Sequence, residues 1–114
     1  MRVLNKKNFH TSIETGKICW QSYESRPSTP TSRHSHSSVR VDNTLYVFGG
    51  LSGSFTSYND LWMLDLNSLA WSRLTSAGSY PSPKGASTLV AHDRTLILYG
   101  GYSHPYSYSF NQQV

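Results

Sequence analysis

Apolar and polar residues alternate over short stretches of this chain, and each stretch stops at residues that favour turns. Residues 36–41, His-Ser-Ser-Val-Arg-Val, alternate weakly and predict a first strand. Asp42-Asn43 supplies turn chemistry, because both side chains bond back to the backbone. Residues 44–48, Thr-Leu-Tyr-Val-Phe, are β-branched or aromatic at nearly every position and predict a strand buried on both faces. Gly49-Gly50 is expected to end it with a sharp bend or a close approach to a neighbour. The Ser-rich residues 51–59 predict a loop. Residues 60–66 predict a third strand, with Leu61, Met63 and Asp65 on one face and Trp62, Leu64 and Leu66 on the other. Asn67-Ser68 predicts a turn and residues 69–74 a fourth strand. A helical reading fails, since no i, i+3, i+4 apolar stripe persists for a dozen residues.

The pattern then starts again. A loop rich in Gly, Ser and Pro spans 75–85, and residues 86–91 and 95–99 repeat the first and second strands. Residues 17–23 read as the fourth strand of a preceding unit. The period is fixed at 51 residues: Gly49-Gly50 recurs as Gly100-Gly101, Trp20 as Trp71 and Pro30 as Pro81. Asp42, Thr44 and Leu45 recur as Asp93, Thr95 and Leu96. Such a spacing marks a propeller-type array. Residues 1–35 then hold the last strand of one blade and an inter-blade loop, 36–74 a complete blade, and 75–102 the first half of the next. Residues 103–114, rich in Tyr and Ser, are expected to form a loop or tail. A closed propeller needs roughly 4–8 blades, so 114 residues read as a piece of a larger array with poor stability by itself.

Pro30-x-x-Arg33-x-x-His36, then Leu45-Tyr46-Val47-Phe48-Gly49-Gly50, then Asn59-Asp60-Leu61-Trp62-x-Leu64-Asp65 and Trp71 together resemble a kelch repeat. The second copy departs from the pattern at Lys84, where the family has Arg, and at Ser87, where it has His. Asn59–Trp62, Leu64–Ser68 and Gly78–Lys84, with Arg26–Thr31 and Ser35–Ser38, further resemble the kelch-bearing F-box proteins, over most of residues 9–105. The resemblance implies an all-β kelch propeller fragment: one complete four-stranded antiparallel blade and two partial blades. It also implies a non-catalytic protein–protein interaction module, part of the substrate-recognition propeller of a cullin-based ubiquitin ligase subunit. The implied partner is a protein substrate. The ligase scaffold is reached only through an F-box, and the residues before Trp20 are too few to supply one. The alternatives are a fragment of a propeller-based enzyme and a kelch scaffold unrelated to ubiquitination.

Composition narrows the chemistry. Ten Lys and Arg against six Asp and Glu give a net charge of +4, but the basic residues are scattered and do not interleave with stacking aromatics, so no nucleic-acid partner is expected. Aromatics reach 13% and charged residues only 14%, which suits a β-rich chain. Cys19 is the only cysteine, which excludes an internal disulfide and favours a reducing compartment, cytoplasm or nucleus. No apolar run reaches membrane-spanning length, and no membrane partner is expected.

The tempting sites have ordinary explanations. His34-x-His36 has the spacing of a metal clip but lacks further ligands with characteristic spacing, so neither a metal nor another cofactor is expected. Cys19 aligns with Ala70 in the 51-residue register and reads as a small packed position. Asp60 and Asp65 fall on opposite faces of a strand and form no acid/base pair; Asp60 is expected to bond loop backbone. Trp62, Trp71, Tyr46, Phe48 and Tyr99 are expected in the core. The loops after the second and fourth strands leave from one end of a blade and are expected to be longer than the turns at the other. Arg33, His34, Phe55, Tyr58, Tyr102 and Tyr106 on those loops are the candidate partner contacts, Tyr and Arg being the residues that anchor interfaces. Arg33 also matches the repeat pattern and has a structural alternative.

Overall fold

The computed structural model describes residues 28–53 and 55–103 in full, and the backbone of 7–12 and 19–24. Among the described residues eight strands run in chain order: β1 (Lys7–Ser12), β2 (Cys19–Glu24), β3 (Ser37–Val41), β4 (Thr44–Ser52), β5 (Thr56–Asp65), β6 (Trp71–Leu74), β7 (Gly85–His92) and β8 (Thr95–Tyr102). Antiparallel pairing joins β1 to β2, then β3-β4-β5-β6 in sequential order, then β7 to β8. No helix occurs among the described residues. The architecture is one four-stranded blade between two partial ones.

Two boundaries differ from the sequence reading. β1 forms where no strand was expected: Phe9 is its single large apolar residue, so there was no alternation to read, and pairing with β2 defines it. The second strand does not end at Gly49-Gly50. The register shifts between Phe48 and Gly50, and β4 continues to Ser52, paired with Thr56. A bulge bends a strand without terminating it. Gly49 at φ 62° and Gly50 at φ 106° are the residues that allow the bend. The expected loop over 51–59 therefore shrinks to residues 53–55.

At the opposite end, Asp42 and Asp93 open the two-residue turns β3–β4 and β7–β8, each at φ 51°. Aspartate tolerates this left-handed region better than most residues. The β5–β6 turn is organised by Asp65, whose Oδ1 accepts the N–H groups of Asn67 at 2.8 Å and Ser68 at 3.0 Å. Those two backbone bonds hold the Asp65 carboxyl below the usual aspartate pKa.

Among the described residues Val47, Phe48, Leu51, Trp62 and Leu89 are the buried apolar ones. Val47 and Trp62, paired across β4 and β5, share one face of the four-stranded sheet; Phe48 lies on the other and lines a cleft with Leu89 of β7, which packs against β3 and β4. Main-chain bonds fasten the two units: Gly50 N–H donates to Lys84 O at 2.9 Å, Lys84 N–H to Tyr58 O at 2.9 Å, and Ala86 N–H to Ser35 O at 2.7 Å. Trp71 and Tyr46 are half-buried. Tyr99 departs from the expected core, being 52% exposed. It sits on β8, which among the described residues pairs on one side only.

Candidate functional site

The antiparallel register gathers the start of β3, the hairpin between β4 and β5, the end of β6, the start of β7 and the end of β8 at one end of the molecule. His34 is exposed there. Its backbone forms a two-way bridge with Leu51, N–H to O distances being 2.9 and 2.8 Å, and its Nδ1 lies 3.0 Å from Ser35 Oγ. Phe55 forms the tip of the β4–β5 hairpin, 69% exposed and at φ 62°. Tyr102 ends β8 and is exposed. These three expected contacts share one end of the fold. Tyr106 lies outside the described residues.

Arg33 and Tyr58 belong elsewhere. Arg33 is 2% exposed, which removes it from the surface contacts. Its Nη1 donates to Gly49 O at 2.9 Å and to Asp60 Oδ1 at 2.5 Å, its Nη2 to Asp60 Oδ2 at 2.8 Å, and its Nε to Thr31 O at 3.1 Å. The guanidinium carbon stands 4.3 Å from the centre of the Tyr58 ring, within cation–π range. Tyr58 is accordingly half-buried as the floor of the Arg33 site. A paired, stacked guanidinium is the form in which an arginine charge is tolerated inside a protein.

Asp60 is the hub. Besides Arg33, its Oδ2 accepts Trp62 Nε1–H at 2.7 Å. The expectation that Asp60 bonds loop backbone is corrected: β5 starts at Thr56, so Asp60 stands within a strand facing Arg33. Burial pushes its carboxyl up, but the bonds from Arg33 and Trp62 and the Arg33 charge together outweigh burial and leave its pKa below the ordinary value. An open cleft of about 300 Å³ adjoins the pair, lined among others by Thr29, Thr31, Tyr58, Asp60, Trp62 and Arg73. His36 is half-buried with its Nδ1 unpartnered; burial above all lowers its pKa, and the charge of Arg33 acts in the same direction.

One surface residue escaped the sequence reading. Tyr80, 37% exposed in the β6–β7 loop, edges a small apolar cleft shared with Phe48, Leu61, Leu89 and Leu98. It stands in the same Gly-, Ser- and Pro-rich context as the other loop tyrosines, and that context is the signal the sequence offers for it. Among the described residues no group of three or more His, Cys, Asp or Glu is placed to hold a metal ion.

Residues 4–113 match the family model of the KLHDC2/KLHL20/DRC7 Kelch-repeats domain. Among similar proteins, acyl-CoA-binding domain-containing protein 4 of Arabidopsis thaliana is 34% identical over 88 residues, covering 76% of this chain and 13% of that protein. Host cell factor 2 of Homo sapiens is 30% identical over 94 residues, covering 77% and 12%. Kelch domain-containing protein 3 of Bos taurus is 29% identical over 76 residues, covering 67% and 20%. The chain thus spans a small part of the relatives it matches. The solved structure of YjhT superposes with a TM-score of 0.69 at 20% identity, over 86% of this chain and 28% of that one, and shares the fold. The buried Arg33 beside the double glycine, the Asp60–Trp62 strand that meets it and the 51-residue recurrence agree with the match along nearly the whole length: the chain belongs to the kelch-repeat family.

Proposed function

We propose that this chain is a non-catalytic protein-binding segment of a kelch propeller, and that its contact face is the end carrying His34, Phe55, Tyr80 and Tyr102. The observation that carries the reading is Phe55. A bulky aromatic at positive φ, two-thirds exposed at a hairpin tip, leaves most of its ring in solvent and costs backbone strain. Such placements are retained for contact with something else. The buried polar groups of the repeat, Arg33 and Asp60, are engaged with each other and with the backbone, so they support the scaffold rather than chemistry on a substrate.

The more specific reading is that the propeller holds the protein substrate of an F-box ubiquitin ligase subunit in the cytoplasm or nucleus. It rests on the resemblance of residues 59–84 to F-box only protein 42. The ligase scaffold would then be engaged by an F-box and not by these repeats. The relatives, of which this chain matches only 13% and 12% of the length, support the reading of a segment within a larger protein. The test is a pull-down with the complete propeller carrying Phe55→Ala and Tyr102→Ala together. Loss of a partner by about tenfold or more, with the fold intact, is expected for interface anchors. Unchanged capture, with loss on mutation of the turns at 42–43 and 66–70, places the contact face at the other end. Recovery of ligase components by the parent protein separately tests the ubiquitin reading.

A further inference from the structure

The chain contains two Ser/Thr-Pro dipeptides, Thr29-Pro30 and Ser82-Pro83. Proline has no N–H, and it holds the residue before it in an extended backbone. That is the local shape a proline-directed protein kinase takes into its active site: an extended hydroxyl residue followed by a ring that needs no partner for a donor. As sequence the two dipeptides are equivalent. Both hydroxyl residues are half-buried, and both stand in segments that join one blade to the next. The fold treats the two prolines differently.

Pro30 is among the fully buried side chains. Thr29 beside it lines the cleft of about 300 Å³ with Tyr58, Asp60 and Trp62. A kinase can seat this pair only after the segment has been pulled away from the blade. Pro83, in contrast, is exposed, and it stands in the loop between β6 and β7, where residues 75–80 are exposed throughout. Two bonds to β5 hold the base of that loop: Asn59 Nδ2 donates to Pro81 O at 3.2 Å, and Lys84 N–H to Tyr58 O at 2.9 Å. Both use main-chain groups of the loop, and neither engages the Ser82 hydroxyl. The openness does not come from where the described strands stop. Ser82 is the counterpart of Thr31, 51 residues on. After Thr31 all four strands of the blade are described, and Thr31 is exposed. The position is thus open with a complete blade after it in one copy and before it in the other.

From this contrast we infer that Ser82 is a phosphate acceptor for a proline-directed serine/threonine kinase, and that the fold withholds Thr29. In the transfer, Ser82 Oγ bonds to the γ-phosphorus of ATP as the bond from that phosphorus to the β–γ bridging oxygen breaks. ADP leaves, and the hydroxyl proton passes to the carboxylate base of the kinase. The product carries about −1.5 to −2 charges near pH 7. It stands two residues from Tyr80, at an end of the molecule whose described exposed loop residues, within 28–36, 53–55 and 75–84, include no Asp, Glu, Lys or Arg. The modification gives that end a charge it otherwise lacks. This goes beyond the contact face proposed above and does not depend on it.

The test incubates the 114-residue chain with ATP and a mitogen-activated protein kinase, beside peptides of residues 24–34 and 76–86, and locates phosphate by mass spectrometry. Circular dichroism establishes that the chain is folded; if it does not fold alone, the complete propeller takes its place. Both peptides should be modified. In the folded chain Ser82 should be modified at a rate within about tenfold of its peptide, and Thr29 about tenfold or more slower than its own, as for a site that needs local opening. Ser82→Ala should remove most of the phosphate that the folded chain takes up. Absence of phosphate at Ser82 in the folded chain overturns the proposal. So does modification of Thr29 at the rate of its peptide, since burial of Pro30 would then protect nothing. A 24–34 peptide no better as a substrate than Thr29 in the folded chain also overturns it, because sequence and not the fold would then be choosing.

Discussion

Arg33 and Asp60, 27 residues apart in the chain, meet through two hydrogen bonds from the two terminal nitrogens of the guanidinium to the two carboxylate oxygens, at 2.5 and 2.8 Å. The pair ties the segment entering the blade to its third strand, and Gly49 O and Thr31 O take two further donors of the guanidinium. Removing one partner leaves the other buried and uncompensated. Arg33→Met is expected to destabilise the chain by about 3–5 kcal/mol, and Asp60→Asn by a similar or smaller amount because the amide retains one acceptor. The double variant should lose less than the two singles added together, which urea unfolding of all four proteins would measure.

Gly49 and Gly100 share a left-handed backbone but differ in surroundings. Gly100→Ala should cost only the conformational penalty, about 1–2 kcal/mol. Gly49→Ala adds a collision with the backbone carbonyl of Lys84, and should cost clearly more in the same assay. Equal costs would show that the joint between the units yields.

Acid should weaken the fold in two stages. His36 has a pKa lowered by burial, so the unfolded chain binds its proton first, and stability is lost as pH falls below about 6.5, the ordinary histidine value. Asp60, also lowered, adds a second loss as pH falls below about 4. His36→Gln should flatten the upper stage and Asp60→Asn the lower one, followed by urea midpoints between pH 8 and 3.

Trp62 contributes both packing and a polar bond. Trp62→Ala is expected to cost about 3–5 kcal/mol. Trp62→Phe keeps most of the packing but leaves Asp60 without the indole donor, and should cost about 1–3 kcal/mol. Limited proteolysis and thermal unfolding would separate the two.

Much of this was legible because the chain repeats. The recurrence of Gly49-Gly50 at Gly100-Gly101 and of Asp42 at Asp93 set blade register and the two-residue turns. The length of β4 and β5 was not legible, because consecutive glycines read locally as a stop, and only cross-strand pairing of Gly50 with Tyr58 shows that the ladder resumes. The Arg33–Asp60 pair was hidden for a related reason. Each residue stood out in the pattern, but a bond across 27 residues depends on how the strands fold back. Arg33 consequently looked available to a partner, while His34, its neighbour, is the one that faces outward. Tyr99 had a core composition around it, and exposure there reflects which strands lie beside β8 rather than anything local.

The seam between the complete blade and the next is stitched by peptide groups: Gly50 to Lys84, Lys84 to Tyr58, Ala86 to Ser35. A coupling of that kind depends on side-chain identity only where the backbones crowd, as at Gly49 and Gly85. Successive copies can drift apart by substitution while the hinge between them keeps its geometry, so a duplicated unit fits its neighbour from the moment it arises. Arg33 becoming Lys84 and His36 becoming Ser87 are drift of this sort, and the outward loops are where such copies are free to acquire different uses.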